Sequence, residues 1–287
     1  MDRYESIKEM TADALIRAGT AFSEDKIAAY KRAIAVETNG NARWVLETIL
    51  ENAALATKNR SPLCDDTGIP HLFLELGPMT RLDGLLLDAI YEGVARGLAR
   101  LPGRPMAIRG GDMERLDQSA GLEPLPQAVL PAPMMVVGIK ENVMRLHILM
   151  LGGGPAIQGK TLRVFHKHST LTVEDEIVAW ACEAVKNLGC SPCTLAIGIG
   201  RSQYESTALM MEAQVHGRYD RQTPFEEAIT RRVNESNVGA LGLGGKTSVL
   251  GTFVRIGPQR ASGVRIVCLR PCCCFEPRVA HMDVPEE

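Results

Sequence analysis

Apolar residues recur at three- and four-residue spacing through most of the first hundred residues of the chain. This spacing places them on one face of an α-helix. It predicts helices over 6–21, 24–38, 42–58 and 81–101. A turn-rich segment at 61–70 and a short strand-like run at 71–76 interrupt the pattern. We therefore expect the N-terminal part of the chain to be a helical layer.

The pattern changes to shorter, strand-like runs in the second half of the chain. Strands are predicted at 134–139, 143–151, 195–199, 248–256 and 263–268, with helices at 173–187, 202–215 and 224–234. The first two strands look like a hairpin joined around residues 140–142. The sequence thus predicts an α+β or mixed α/β fold.

The predicted elements can be arranged in a single domain spanning residues 1–287. It would consist of a helical part at 1–101, a linking loop at 102–133 rich in Pro, Gly and polar residues, and a mixed-sheet part at 134–287. The mixed-sheet part is expected to carry the loops that could bind a cluster.

Composition narrows the class of protein. The chain is 45% hydrophobic and 23% charged, as expected of a globular domain, and its net charge is −2. This charge gives no electrostatic reason to expect nucleic acid or an anionic membrane as a partner. Apolar stretches such as 134–139 are too short to span a bilayer. The N-terminal residues Met-Asp-Arg-Tyr-Glu do not resemble a signal peptide, so we expect a cytoplasmic protein.

Eight cysteines make a site for a metal or a cluster worth considering. They are Cys64, Cys182, Cys190, Cys193, Cys268, Cys272, Cys273 and Cys274. Three adjacent cysteines are poorly suited to a disulfide scaffold, and the expected compartment is reducing. Ligation of a metal or cluster and burial as small hydrophobic residues both remain open.

The segment Cys64-Asp65-Asp66-Thr67-Gly68 combines a thiol with two carboxylates in a turn. A thiolate ligand in an exposed loop with a nearby acid suits a metal site. The alternative is that Asp65 and Asp66 cap a turn and Cys64 packs beneath it.

Two further cysteine segments lie in the second half of the chain. Gly189-Cys190-Ser-Pro-Cys193 contains a Cys-x-x-Cys pattern, which can hold zinc, take part in redox exchange or donate a ligand to an iron–sulfur cluster. Cys272-Cys-Cys274 follows about eighty residues later. Joint ligation would require the fold to bring these segments together.

Four ordered motifs give the chain a resemblance to a known family. Cys-x-Asp-Thr-Gly, Cys-x-Pro-x-x-Leu-x-x-Gly-x-Gly, Gly-Leu-Gly-Gly-x-Thr and Cys-x-x-x-Arg-x-Ala stand at 64–68, 190–200, 242–247 and 274–280. In this the chain resembles the iron–sulfur hydro-lyases, namely class I fumarases and L-tartrate dehydratases. It is similar to the α subunit of the two-subunit forms or the N-terminal portion of the fused forms.

The resemblance implies a [4Fe–4S] cluster held by Cys64, Cys190 and Cys274, with one iron left open to substrate. Such an iron is a Lewis acid that can bind a hydroxyl and a carboxylate and help the hydroxyl leave. Cys182 and Cys268 lie within apolar periodic segments and are expected to pack. The roles of Cys193, Cys272 and Cys273 stay unassigned.

The resemblance also implies the residues that contact substrate. Asp66 matches the acidic residue that touches substrate and shuttles a proton. Asp65, where fumarases usually carry Gln, falls in the substrate-binding segment. Arg109 stands at about the position where the family has an arginine that binds a substrate carboxylate. A guanidinium suits this role because its donors lie in one plane and can pair with two oxygens. A solvated surface arginine is the alternative for Arg109.

The implied substrate is a small hydroxy-dicarboxylate such as malate/fumarate or tartrate, and the implied partner is a separate β-type subunit that supplies the general base. Some pocket segments differ from the family pattern. Leu151 stands at a motif lysine, and no Glu follows the glycines at 152–154. The Gly-Asp-Asn segment and a histidine near the last cysteine motif have no clear counterpart. The cluster is thus better supported than the substrate.

Two other classes of protein compete with this interpretation. Gly154-Pro-Ala-Ile-Gln-Gly-Lys-Thr161 matches the phosphate-binding loop of nucleotide-binding proteins, although a β-like run rather than a helix follows it. A structural zinc protein using Cys64, Cys190, Cys193 and one of the final cysteines is the other alternative.

Overall fold

A computed structural model describes residues 2–285 of the chain. The helices are α1 (Arg3–Thr20), α2 (Glu24–Val36), α3 (Gly40–Asn59), α4 (Gly84–Arg100), α5 (Asp112–Asp117), α6 (Gly153–Gln158), α7 (Thr170–Leu188), α8 (Gln203–His216) and α9 (Pro224–Asn234). The strands are β1 (Ile69–Leu76), β2 (Met135–Gly138), β3 (Met144–Leu151), β4 (Lys160–Phe165), β5 (Cys193–Gly200), β6 (Val249–Ile256), β7 (Val264–Cys272) and β8 (Val279–Asp283). Helices and mixed sheets together give an α+β fold, which confirms the predicted class.

Several helices begin where the sequence offers a capping side chain. The caps of α4, α7, α8 and α9 each accept a backbone N–H from the first turn; they are Asp83, Ser169, Ser202 and Thr223. Such a cap satisfies one of the N–H groups that a helix start leaves without an intrahelical partner. These starts are therefore fixed by local chemistry as well as by packing.

The described chain divides into two compact units, each built from separate stretches of sequence. The first contains the residues up to Ala21, Ala53–Gly152 and the residues from Arg278 onward, and the second contains Phe22–Asn52 and Gly153–Pro277. The expectation of one cluster-binding domain over 1–287 stays a prediction.

In the first unit, a four-stranded sheet in the order β2-β1-β3-β8 carries α1 and α4 on one face. Alternate residues of the strands, such as Leu72, Leu74, Leu146 and Ile148, point into the core under these helices. The alternation fixes which face of each strand is buried.

The predicted hairpin of β2 and β3 is wrong. β1 lies between them, parallel to β2 and antiparallel to β3. Two backbone bonds hold the 139–143 connection at the end of β1: Ile139 N–H donates to Leu76 O, and Gly77 N–H donates to Val143 O, each at 2.9 Å. Sequence neighbours usually pair, and the local pattern carries no sign that an earlier strand separates these two.

In the second unit, the sheet order is β4-β7-β5-β6. One face packs against α7 and α9, with Leu195 and Ile197 of β5 in the core. The other face meets α8. A Cβ at Gly198 would collide with the α8 backbone around Ser206 and Met210, so glycine there allows the helix to approach the strand.

Among the described residues, no helix combines the length and the apolar character that a membrane crossing requires.

Candidate active site

The loop that carries Cys64 connects α3 to β1 and is held by backbone hydrogen bonds. Leu63 N–H donates to Gly19 O at 3.0 Å, and Thr67 N–H donates to Asp65 O at 2.9 Å. These bonds leave Cys64 half-buried and Asp65 exposed. The Cys64 thiol donates to Asp65 Oδ1 at 3.5 Å. The loop thus presents a thiol and two adjacent carboxyl groups in one turn.

Arg278, from the last motif, clamps this loop to the end of β3. Its Nη1 donates to Asp66 O at 2.8 Å and its Nε donates to Met150 O at 3.0 Å. Met150 N–H returns a 3.0 Å bond to Arg278 O. The arginine is 2% exposed, and a guanidinium is well suited to bridge two carbonyl groups because its donors are fixed in one plane.

Gly68 makes this clamp possible. Its φ is +89°, a conformation that L side chains rarely adopt, and a Cβ there would lie 2.8 Å from Arg278 Nη2. The glycine of Cys-x-Asp-Thr-Gly and the arginine of Cys-x-x-x-Arg are therefore explained together, by one contact.

In the second unit, the structure brings Cys190 and Cys274 together. Cys190 follows the C-terminus of α7 and is exposed, whereas Cys274 lies in the turn after β7 and is buried. The backbone N–H of Cys274 donates to the carbonyl oxygen of Cys190 at 2.9 Å. Two of the three predicted ligands thus lie on adjoining loops, although 84 residues separate them in the sequence.

Helix α2 fixes the Cys274 turn through two side chains one turn apart. Tyr30 donates its hydroxyl to Cys274 O at 2.7 Å, and Lys26 donates its ammonium to Glu276 O at 2.8 Å. The Glu276 carboxylate pairs with Arg270 at 3.1 Å, with both side chains buried. The turn is therefore anchored to α2 through backbone carbonyl groups.

The glycine-rich loop at 242–247 is fixed by the same helix and by the Cys190 loop. Glu37, at the C-terminus of α2, accepts the N–H of Lys246 at 2.8 Å. Ser191 donates its hydroxyl to Gly239 O at 2.6 Å, and Leu241 N–H donates to Ser191 O at 2.9 Å. Three of the four motifs thus share one set of hydrogen bonds in this unit.

Burial and neighbouring groups shift the pKa values in this region. A hydrogen bond that the Cys274 thiol donates to Cys273, together with burial, raises the pKa of Cys274 well above its ordinary value, while the charge of Lys26 opposes the shift. Burial lowers the pKa of the Lys26 ammonium to about 8. Burial alone would raise the pKa of Glu37, but the backbone N–H groups of Asn39 and Lys246 outweigh it and the net shift is downward.

This donor set fits a sulfur-ligated group that carries negative charge. Thiols lie on two adjoining loops, and a buried ammonium is close to one of them. A high thiol pKa means that binding of a metal group would release the proton of Cys274. Within residues 2–285, no three His, Cys, Asp or Glu side chains are grouped closely enough to hold a single metal ion. The cysteines of a four-iron cluster each bind a different iron, so they need not lie close enough together to hold a single metal ion.

The remaining cysteines lie mainly in packed surroundings. Cys193 belongs to the core of the second unit, where its side chain is fully buried among apolar residues, and burial raises the pKa of its thiol. Cys182 packs against that core, and Cys268 is buried on β7, as the sequence predicts. Cys272 donates to Gln214 Oε1 at 3.3 Å. The packing of Cys193 disfavours the zinc alternative.

Arg109 lies in the 102–133 loop with its side chain half exposed. Its Nε is 3.5 Å from Glu123 Oε2, and its backbone N–H donates to Gly121 O at 3.0 Å. The Arg109–Glu123 ion pair lies at the protein surface, where both side chains are exposed to solvent. Its predicted contact with substrate stays a prediction, as do the roles of Asp65 and Asp66.

The phosphate-loop alternative finds no support. A helix must follow the Lys-Thr of such a loop, because its N-terminal N–H groups bind the phosphate. Here Lys160 and Thr161 begin strand β4, and the Lys160 ammonium pairs with Glu183 at 3.0 Å. A short helix, α6, instead precedes them.

Lys26, Tyr30 and Glu37 are not among the residues predicted from the sequence. They share one face of α2 with Ala33, at spacings of four, three and four residues. Charged residues on the buried stripe of a predicted helix are the signal that could have identified them.

Comparison with known proteins agrees with the motifs. The family model described as fumarate hydratase (Fumerase) matches residues 8–283. A protein of Methanocaldococcus jannaschii, provisionally named L(+)-tartrate dehydratase subunit alpha, is 23% identical over 276 residues, covering 92% of this chain and 93% of the relative. L(+)-tartrate dehydratase subunit alpha of Escherichia coli K12 is 20% identical over 274 residues, covering 93% of this chain and 87% of the relative.

Proposed function

The chain belongs to the fumarate hydratase (Fumerase) family, and we propose that it is the α-type subunit of a hydro-lyase. The reaction is the addition or removal of water at a small hydroxy-dicarboxylate, such as malate/fumarate or tartrate. The match over residues 8–283 and the α-subunit relatives support this function.

One structural observation supports the proposal most strongly. Cys190 and Cys274, each at a motif position, are joined by a backbone hydrogen bond across two loops. The bond places two motif cysteines, far apart in the sequence, on adjoining loops. Ligation of one group by both thiols requires such an arrangement.

We propose that this group is a [4Fe–4S] cluster with Cys64, Cys190 and Cys274 as its ligands. The assignment of Cys64 rests on its motif, Cys-x-Asp-Thr-Gly, and on the thiol that its loop presents beside Asp65. When bound, the cluster would supply an iron with an open coordination position, which acts as a Lewis acid toward hydroxyl and carboxylate oxygens.

The substrate contacts proposed for this chain are made by Asp66, Asp65 and Arg109. Asp66 moves a proton at the substrate, and the Arg278 clamp on its carbonyl keeps its backbone in place. Arg109 binds a substrate carboxylate, for which a guanidinium offers two parallel donors. Asp65 contacts the substrate from the same loop as Asp66.

A separate β-type subunit is the proposed partner. The names of the relatives as α subunits support it. We propose that this partner supplies the general base and further carboxylate-binding groups, and that the assembled site excludes water during the reaction. A cytoplasmic location is part of the proposal, because a reducing compartment keeps cysteine ligands available as thiols.

The absorption spectrum of the anaerobically purified chain tests the proposal, together with counts of iron and inorganic sulfide. A broad charge-transfer shoulder with iron and sulfide in equal amounts is the expected result. A colourless protein that contains zinc would contradict the proposal. So would a protein that contains neither zinc nor iron after reconstitution with iron and sulfide.

A further inference from the structure

Lys26 is a buried lysine in the first turn of α2. Its side chain is 1% exposed, which makes it one of the largest fully buried side chains of the protein. Removing an ammonium from water costs several kcal/mol unless other groups compensate its charge. Its surroundings should therefore contain negative charge.

The contacts of Lys26 compensate that charge only in part. Its Nζ donates to the carbonyl oxygen of Glu276 at 2.8 Å and lies 4.4 Å from the centre of the Phe22 ring. The Glu276 carboxylate itself pairs with Arg270. Among the side chains that the structure describes, no carboxylate forms an ion pair with Lys26. Lys26 and Arg270 thus place two buried positive charges beside the Glu276 residue.

The side chains near enough to Lys26 to interact with its charge, should they ionise, are mainly thiols. They are those of Cys273, Cys274 and Cys272, followed by the Glu276 carboxylate. Lys26 and Tyr30 both bond to the backbone of the turn that contains Cys273 and Cys274. The ammonium is therefore located where a thiolate at Cys274 would place negative charge.

We infer that Lys26 is a positioning residue that supplies the buried countercharge for the cluster ligated by Cys274. This inference rests on the proposed function. Three thiolates on an oxidised four-iron cluster leave about one net negative charge, and reduction adds another. A fixed ammonium stabilises both states, the more negative one more strongly.

Removing the charge has two expected effects. The midpoint potential of the cluster should fall, because the reduced form loses more stabilisation than the oxidised form. A cluster that is more easily oxidised should also lose iron faster in air.

The experiment compares Lys26→Met, Lys26→Gln, Lys26→Arg and wild type, reconstituted anaerobically with ferrous iron and sulfide. Lys26→Gln keeps an N–H donor for the Glu276 carbonyl but removes the charge, and Lys26→Arg keeps the charge. Lys31→Met, an exposed lysine on the same helix, is the matched control. Iron per chain after exposure to air, and the midpoint potential from a redox titration, are the readouts.

Lys26→Met and Lys26→Gln should lose iron about tenfold faster than wild type, the lower end of the effect typical for partners of metal ligands. Both should show a lower midpoint potential, while Lys26→Arg and Lys31→Met stay close to wild type. Circular dichroism of the chains before reconstitution checks folding. If Lys26→Met does not fold, Lys26→Gln decides.

Wild-type retention and potential in Lys26→Gln would overturn the inference, because a hydrogen bond without charge would then suffice. A wild-type chain that assembles no cluster would instead contradict the proposed function, and the inference would fall with it. The two failures are thus distinguished by the wild-type sample.

Discussion

The backbone N–H of Cys274 donates a 2.9 Å hydrogen bond to the carbonyl oxygen of Cys190. The bond joins the turn after β7 to the loop after α7, and it fixes the spacing between the two motifs at their cysteines. Because it uses backbone atoms only, it joins the two loops without involving either thiol.

Replacement of single cysteines should separate ligands from packed residues. Cys64→Ser, Cys190→Ser and Cys274→Ser should each lower iron retention roughly tenfold or more, because a hydroxyl is a much poorer iron ligand than a thiolate. Cys182→Ser, which alters a thiol packed against the core, is the control and should retain wild-type iron. Full iron and colour in Cys64→Ser would refute the ligand assignment.

Arg278→Ala should destabilise the protein by about 3 kcal/mol, because it removes two hydrogen bonds from a buried charged group to Asp66 O and Met150 O. Urea unfolding of the chain measures the change in free energy. Arg278→Lys should recover only part of it, since an ammonium lacks the planar fork. The exposed Arg115→Ala is the control, and an equal loss in that variant would show that the clamp has no special role.

Arg109→Ala should raise the KM for a dicarboxylate about tenfold or more, since a charge-assisted bond to the carboxylate is lost. The free energy of unfolding should change by less than about 1 kcal/mol, because the pair with Glu123 is exposed. Arg115→Ala, in the same loop, should leave KM unchanged. A wild-type KM in Arg109→Ala would show that Arg109 is a solvated surface residue that does not bind substrate.

Glu37→Gln should lose stability at neutral pH but not in acid. The folded-state pKa of Glu37 is depressed, so the carboxylate stabilises the fold above its unfolded pKa and loses this effect as the pH falls through the folded value. We expect a difference of about 1–3 kcal/mol at pH 7 that shrinks below about pH 4. Urea unfolding over this range measures it, with the exposed Glu47→Gln as control; a difference independent of pH would exclude ionisation as the cause.

Periodicity predicted most helices within a few residues, because each has a continuous apolar stripe; α2 and α4 are examples. It failed at the supposed hairpin, where β1 lies between β2 and β3, since pairing between distant segments leaves no local trace. β8 was also missed. It is five residues long, too short to show a clear alternation.

The motifs located the cysteines of the candidate site but not the residues that hold their loops. Lys26 and Glu37 are charged, and in a helical pattern a charged residue is read as exposed. Their burial depends on segments more than two hundred residues away, the turn at Glu276 and the loop at Lys246. Their place on the apolar stripe of α2 is visible in the sequence, but these distant partners can be identified only once the fold is known.

A turnover assay tests most directly whether this chain is one half of a hydro-lyase. The cluster-loaded chain is assayed anaerobically on fumarate, malate, tartrate and related hydroxy acids, alone and mixed with the β-type subunit. We predict negligible turnover by the chain alone and hydration or dehydration of at least one substrate by the mixture. Full turnover by the chain alone would show that it carries its own general base, and no turnover by the cluster-loaded mixture would contradict the hydro-lyase assignment.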